Sequence, residues 1–333
     1  MPGRIRYLDS MRAVAILMVV AIHAKGGVTL PDPALRQWID FIIYPVAVPV
    51  FFLVDGFLLA KKYPTPGTFD YNRFIGRSFA RLVVPWLAFT IFYTLARWGF
   101  EMASLLDEQQ VLGADLSRIL LASYGSVYAP QLYFLLSLFF IRLTAPAWLV
   151  VFRWEKYLLT AVFLVYLLIY KAGIDHLVPY LEIRGGQEPI LHALWGLQFY
   201  FLGGVLQAWG VEKRKLLFPV LLAAFVGCTA WASRFDTSPL HLVVQYLYLT
   251  TFFSLFAAFS IHAPLLDRLG TNTMGIYLLH APILIKCFSL VLARLPVGPL
   301  PSYLILVAAT TISAYVLSTY LRRYPLSSWL LGE

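Results

Sequence analysis

Long unbroken apolar stretches, separated by short polar and basic segments, run through the chain from end to end. A helix needs about 20 apolar residues to cross the ~30 Å hydrocarbon core of a bilayer. On that measure the pattern predicts ten spanning helices, near 11–30, 38–60, 80–99, 131–151, 157–173, 191–209, 216–233, 240–261, 272–293 and 299–321. The runs are continuous rather than alternating, which argues against the ten-residue strands of a membrane barrel. The expected fold class is therefore an all-α polytopic membrane protein, with residues 1–333 as a single transmembrane domain. No internal repeat or low-complexity linker divides it. The polar stretches 61–73, 101–118 and 173–189 have room for a surface helix or a ligand-facing loop, not for an extra domain.

Composition sharpens this picture. Of the 333 residues 60% are hydrophobic and only 13% charged, where soluble chains run near a quarter charged, so an ordinary cytosolic globule is excluded. Disorder needs low hydrophobicity, and a disulfide scaffold needs more than two cysteines. Cys228 and Cys287 both fall in predicted spans and read as small buried hydrophobes. The net charge of +9 raises nucleic acid as a partner, but the placement of the basic residues answers it. With the N-terminus in the cytoplasm, seventeen Lys and Arg fall on inner segments and eight on outer ones, as the positive-inside rule requires, with both termini cytoplasmic. The lipid bilayer is the expected partner, and nucleic acid is not. Arg4 and Arg6 before an apolar run resemble a signal peptide, yet Arg12 within the run and Lys25 just after it fit a retained first helix better.

Charge in hydrocarbon costs about 2.5–3.5 kcal/mol on insertion scales, so intramembrane ionisable residues are the candidate chemistry. Arg12 and His23 stand eleven positions apart, within about 20° of three full helical turns and ~16 Å along the axis. They share one face of the first helix at two heights. The plain alternatives are a snorkelling arginine and a histidine bonded to a neighbouring helix. Asp55, after the helix-kinking Pro45 and Pro49, is expected near the depth of Arg12, with Asp9 competing for the same guanidinium. Arg73, Arg77 and Arg81 recur every four residues, either as topology determinants or as a phosphate-binding edge. His280 is expected near mid-membrane in the ninth span, with Tyr277 one turn before it. No HExxH, CxxC or paired-carboxylate spacing is present, so no metal site is expected, and there is no G-x-S-x-G elbow or P-loop.

Several of these segments carry a family resemblance. Tyr7-Leu8-Asp9-Ser10-Met11-Arg12 followed by His23 resembles the first-helix signature of the acyltransferase family 3 membrane proteins, with its Leu-Asp-x-x-Arg and Arg-x10-His pattern. Val48-Pro49-Val50-Phe51-Phe52-Leu53-Val54-Asp55-Gly56-Phe57-Leu58 is similar to the family's second helix, and Arg81-Leu82-Val83-Val84-Pro85-Trp86 to the start of its third. Leu132-Tyr133-Phe134-Leu135 and Gly275-Ile276-Tyr277-Leu278-Leu279-His280 match later segments, all in family order. The chain departs in having Asp55 where the family usually has serine before the glycine, and Ser78 where an Arg-x-x-Arg pair is common. No appended extracytoplasmic hydrolase-like domain is expected.

The resemblance implies a single transmembrane acyltransferase domain that transfers an acyl group, usually acetyl, from cytoplasmic acyl-CoA to a hydroxyl of an extracytoplasmic glycan or glycolipid. Acetyl-CoA, or another acyl-CoA, would be the donor substrate, with no bound cofactor, and the bacterial inner membrane the setting. His23 would act as general base or carry the acyl group itself, and Arg12 would steer the donor's phosphates or hold the thioester path. Arg73, Arg77 and Arg81 would hold the donor, and Asp9, Asp55, Tyr277 and His280 would support the site. The alternative is a transporter or flippase of a glycolipid or small solute, for which paired inverted repeats are expected and none is visible.

Overall fold

The computed structural model describes residues 5–30, 32–64, 67, 69–106, 108–181, 188–232 and 238–332, and every regular element among them is helical. In chain order these are α1 (Arg6–Ala24), α2 (Pro33–Ile43), α3 (Pro49–Lys62), α4 (Tyr71–Ser78), α5 (Val84–Met102), α6 (Leu116–Tyr124), α7 (Tyr133–Leu143), α8 (Ala145–Val151) and α9 (Lys156–Leu181). They continue with α10 (Pro189–Ala208), α11 (Leu217–Ala232), α12 (Ser238–Ala258), α13 (Pro264–Thr271), α14 (Thr273–Leu279), α15 (Ile285–Leu292), α16 (Pro299–Leu321) and α17 (Pro325–Leu330). Local chemistry fixes several starts. Asp32, Asp70 and Asp115 precede α2, α4 and α6, and each carboxylate accepts a first-turn backbone N–H, from Ala34, Arg73 and Arg118 respectively. Arg4, used above to weigh a signal peptide, lies outside the described residues, as do 182–187 of the third polar stretch.

Among the described residues, five helical stretches are long and apolar enough to cross a membrane: Arg6–Ala24, Tyr71–Met102, Pro189–Ala208, Thr273–Leu292 and Pro299–Leu321. A sixth is added if α7 and α8, bent by 61° to each other, count as one. The expected span at 38–60 is divided between α2 and α3, because Pro45 and Pro49 bring no backbone N–H to a continuous helix. The bend after α7 has a similar cause: Pro146 lacks its N–H, and the Thr144 hydroxyl donates to the Ile141 carbonyl at 2.7 Å.

The chain divides into two units, Met1–Lys62 with Phe199–Thr319 and Tyr63–Gln198 with Tyr320–Glu333. In the first unit α1 is the inner helix. Leu8, Met11, Ile16 and Val20 are buried, and 61% of the span lies inside the protein. Polar bonds fix its neighbours where lipid supplies no hydrophobic drive between helices. Tyr7 and Lys61 both donate to the Glu212 carboxylate. Asn272 donates to Thr319 at 3.0 Å and accepts from Ser318 at 2.5 Å. Cys228 is half-buried and Cys287 exposed, which corrects the expectation of two buried thiols: α15 turns Cys287 to its outer face, where a small apolar thiol suits lipid as well as a core.

In the second unit α5 presents Leu87, Ile91, Leu95, Trp98 and Met102 on one exposed stripe, and only 22% of its span is buried, as suits a lipid-facing helix. Its end is tied by Glu101, whose carboxylate is fully shielded and accepts Arg97 Nε at 2.8 Å and the backbone N–H groups of Gln110, Val111 and Leu112 at 2.7–2.9 Å. Glu101→Ala strands Arg97 and three N–H donors together, and is expected to cost about 3–5 kcal/mol locally. Limited proteolysis in nanodiscs would then cut the 103–115 segment much faster than in wild type, and an unchanged cleavage rate would refute this role.

Candidate active site

Because α1 is uninterrupted from Arg6 to Ala24, the eleven-residue spacing of Arg12 and His23 translates into ~16 Å along one face. At the first end, Arg12 Nη1 lies 3.7 Å from Asp9 Oδ1, and the arginine side chain keeps 28% of its surface exposed. Asp55 sits half-buried on α3, immediately before Gly56. At the second end, the half-buried His23 ring meets the His280 ring, with centroids 5.1 Å apart and planes tilted by 58°. The buried Tyr277 ring lies 6.1 Å from that of His280. Sequence placed His280 near mid-membrane and His23 at mid-depth or further out, and the fold brings their rings into contact.

The contact depends on a break in the span. The α-helical pattern stops at Leu279, gives way to a π-turn over His280–Leu284 with Ala281 extended (φ −132°, ψ 154°), and resumes as α15. Pro282 cannot donate a backbone hydrogen bond, and π-turns of this kind recur at functional sites. His280 Nδ1 lies 2.8 Å from the Tyr277 carbonyl and 3.1 Å from that of Ile276. Carbonyls only accept, so Nδ1 carries the hydrogen and Nε2 keeps its lone pair. His280 is 0% exposed, and its Nε2 has no hydrogen-bond partner among the described residues. An unpaired buried acceptor costs about 1–3 kcal/mol. His280 therefore presents an unpaired acceptor, buried in the protein, on a ring in contact with that of His23.

Arg73, Arg77 and Arg81 belong to the other unit, on α4 and in the π-turn Phe79–Val83, and all three are exposed. The guanidiniums of Arg73 and Arg77 make no hydrogen bond or ion pair among the described residues. Arg81 is partly committed, since its Nε donates to the Gly332 carbonyl at 3.2 Å and so helps hold the C-terminal segment. Arg142, counted from sequence only as a topology residue, joins this group by donating to Ser78 Oγ at 3.4 Å and lying 5.8 Å over the Phe74 ring.

Sequence reasoning missed two features. In the second unit, Tyr124 donates to the buried Glu188 carboxylate at 2.9 Å, His192 Nδ1 donates to the Glu188 carbonyl at 2.8 Å, and the Tyr133 ring lies 4.1 Å from that of His192, tilted by 48°. Burial, and then the bond to Glu188, push the Tyr124 phenol well above its ordinary value, which keeps it a donor. The four-residue spacing of Glu188 and His192 was the available signal. In the first unit, a cavity of about 430 Å³ opens just past His23, lined by Ile22, Lys25, Arg36, Tyr44 and the loop between Gly26 and Leu30. A loop folding over a helix end leaves no periodic trace in sequence.

The model of the acyltransferase family 3 proteins, described as "Acyltransferase domain", matches residues 5–319. The chain belongs to this family, and with its apolar spans it is an integral membrane protein of acyl-group transfer. No curated protein and no solved structure matches it.

Proposed function

We propose that the protein is an O-acyltransferase, with acetyl as the first choice, that takes its acyl group from acyl-CoA on the cytoplasmic side of a bacterial inner membrane. The acceptor is a hydroxyl of a glycan or glycolipid on the opposite side, and the chain crosses the bilayer ten times with both termini cytoplasmic. The observation that carries this reading is the His23–His280 pair at the broken span, built on the same helix as Arg12. Unprotonated His23 removes the acceptor hydroxyl proton as the oxygen attacks the thioester carbonyl carbon. The tetrahedral intermediate then collapses, the C–S bond breaks, and the imidazolium returns its proton to the departing thiolate of coenzyme A. His280 holds the His23 ring and offers Nε2 as an acceptor beside it. Arg12 lies on the donor path below.

The exposed guanidiniums of Arg73 and Arg77 suit the phosphates of coenzyme A, which arginine binds through paired N–H groups. A charge-assisted hydrogen bond contributes about 1.5–3 kcal/mol. The double variant Arg73→Gln/Arg77→Gln is therefore expected to raise the KM for acetyl-CoA at least about tenfold with kcat nearly constant. Steady-state kinetics in nanodiscs measures this, and an unchanged KM removes both residues from donor binding.

The reading as a whole is tested by incubating purified protein in nanodiscs with radiolabelled acetyl-CoA and no acceptor, following free thiol and any label kept on the protein. Thioester cleavage lost in His23→Ala supports the assignment, and label retained on wild type alone favours an acyl-histidine route. A folded protein that leaves the thioester intact yet moves a glycolipid across the bilayer would be a transporter instead.

A further inference from the structure

The cavity past His23 has a definite chemistry. Its volume, about 430 Å³, lies within the range of small-molecule sites, roughly 300–1,000 Å³. Its walls come from fixed elements: Tyr303 on α16 donates to the Ala21 carbonyl at 3.1 Å, and Gly27 packs directly against Ser289 and Leu306. Two cations line it, Lys25 and Arg36, with the Tyr44 ring beside them. The acidic groups nearby are engaged. Asp40 pairs with Lys25, whose ammonium also lies 5.3 Å from the Tyr44 ring centre, and Asp32 caps α2 by accepting the Ala34 N–H. Arg36 is different. One Nη donates to the Leu30 carbonyl at 2.8 Å, and the rest of this exposed guanidinium has no partner among the described residues. The cavity wall thus presents a planar fork of donors with no ion-pair partner among the described residues, next to the Tyr44 ring and with Ile22, the neighbour of His23 in the chain, in its lining.

The geometry points to this cavity as an acceptor subsite that takes a sugar unit bearing an acidic group, a carboxylate or a phosphate, on Arg36. The inference rests on the O-acyltransferase reading for its biological meaning and adds the substrate class. Arg36 grips the anion through its remaining N–H groups, Lys25 stays in its neutral pair with Asp40, and the sugar ring lies against Tyr44. A hydroxyl of the same or the neighbouring unit then reaches His23. Neutral glycans lose the charged contact and bind weakly.

Binding and turnover are measured separately on the full chain in phosphatidylcholine nanodiscs, which present no anionic lipid. The probes are a fluorescent glucuronic-acid trisaccharide, maltotriose as the neutral control, and glucose 1-phosphate as competitor. The expected result is that the acidic trisaccharide binds at least tenfold more tightly than maltotriose. Arg36→Gln should weaken it at least tenfold without touching maltotriose, and Arg36→Lys should recover part of the loss. Competition by glucose 1-phosphate marks phosphate as an accepted anion, and its failure restricts the site to carboxylates. Equal affinity for acidic and neutral sugars, no binding of the acidic sugar, or an unaffected Arg36→Gln variant overturns the subsite. Acceptor-free cleavage of acetyl-CoA in the same discs should be unchanged by Arg36→Gln. If instead the KM for acetyl-CoA rises in parallel, the cavity holds the donor and the inference fails. If wild type cleaves no thioester while Arg36-dependent binding stands, the catalytic reading fails and the anion subsite remains.

Discussion

Replacing His23 by alanine is expected to slow acyl transfer by about 10²–10⁴-fold, the range that a positioned general base contributes. The substitution removes a half-buried ring whose recorded contact is with His280, so the helices should keep their packing. Size-exclusion profile and thermal midpoint are expected to stay near wild type, and the KM for acetyl-CoA should move little, because the loss falls on the transition state. His280→Ala is expected to be milder, about 10²-fold, since it releases the His23 ring from its position without deleting the base. A His23→Ala enzyme with wild-type kcat would remove this residue from the chemistry, whatever the state of His280.

The second large effect is structural. α3 and α10 cross at backbone contact: a Cβ on Gly56 would stand 2.0 Å from the Tyr200 carbonyl oxygen, and one on Gly203 would stand 2.1 Å from that of Leu53. The opposing atoms are main chain and cannot rotate away. Small residues at such crossings are what allow membrane helices to approach closely. Gly203→Ala is therefore expected to cost at least about 3 kcal/mol, more than ordinary overpacking, because an entire helix must shift. Monodisperse protein after extraction should fall severalfold and the thermal midpoint should drop, with activity lost in proportion. Ala at Gly76, where a Cβ meets nothing within 4 Å, serves as the matched control and should behave as wild type.

Much of the framework was readable from residue spacing. The helical class follows from run length alone, and the bounds of α10, α11 and α16 lie within a few residues of the apolar stretches that predicted them. The face shared by Arg12 and His23 was legible because α1 has no proline or glycine to disturb its period. Elsewhere local breaks overrode composition. Hydropathy treats Pro45 and Pro49 as mild residues, yet their missing N–H groups split one expected span into α2 and α3. Pro282 stood inside the ninth span in plain view, but no sequence rule says that the helix unwinds at Ala281 and turns His280 onto the carbonyls of Ile276 and Tyr277.

The histidine contact itself was beyond pattern reading for a different reason. Periodicity reports which face of a helix a residue occupies, whereas the approach of α1 to the broken span is set by packing between segments some 250 residues apart in sequence. The same holds for the cavity, formed where the loop after α1 folds beside α2. Arg36 looked like one more outer basic residue until its single backbone bond and its place in the cavity wall were visible. Arg81 moved the other way, from candidate donor ligand to a residue with one nitrogen spent on the Gly332 carbonyl.

The central claim, acyl transfer through the membrane at the His23–His280 pair, is tested most directly in sealed proteoliposomes. Protein is oriented with its termini outward, acetyl-CoA is supplied outside, and an acidic oligosaccharide is trapped inside. The account predicts free coenzyme A appearing outside and O-acetylated oligosaccharide appearing inside in equal amounts, both lost in His23→Ala. Acetylated product only in the outer medium, or intact acetyl-CoA with a correctly folded protein, would contradict it.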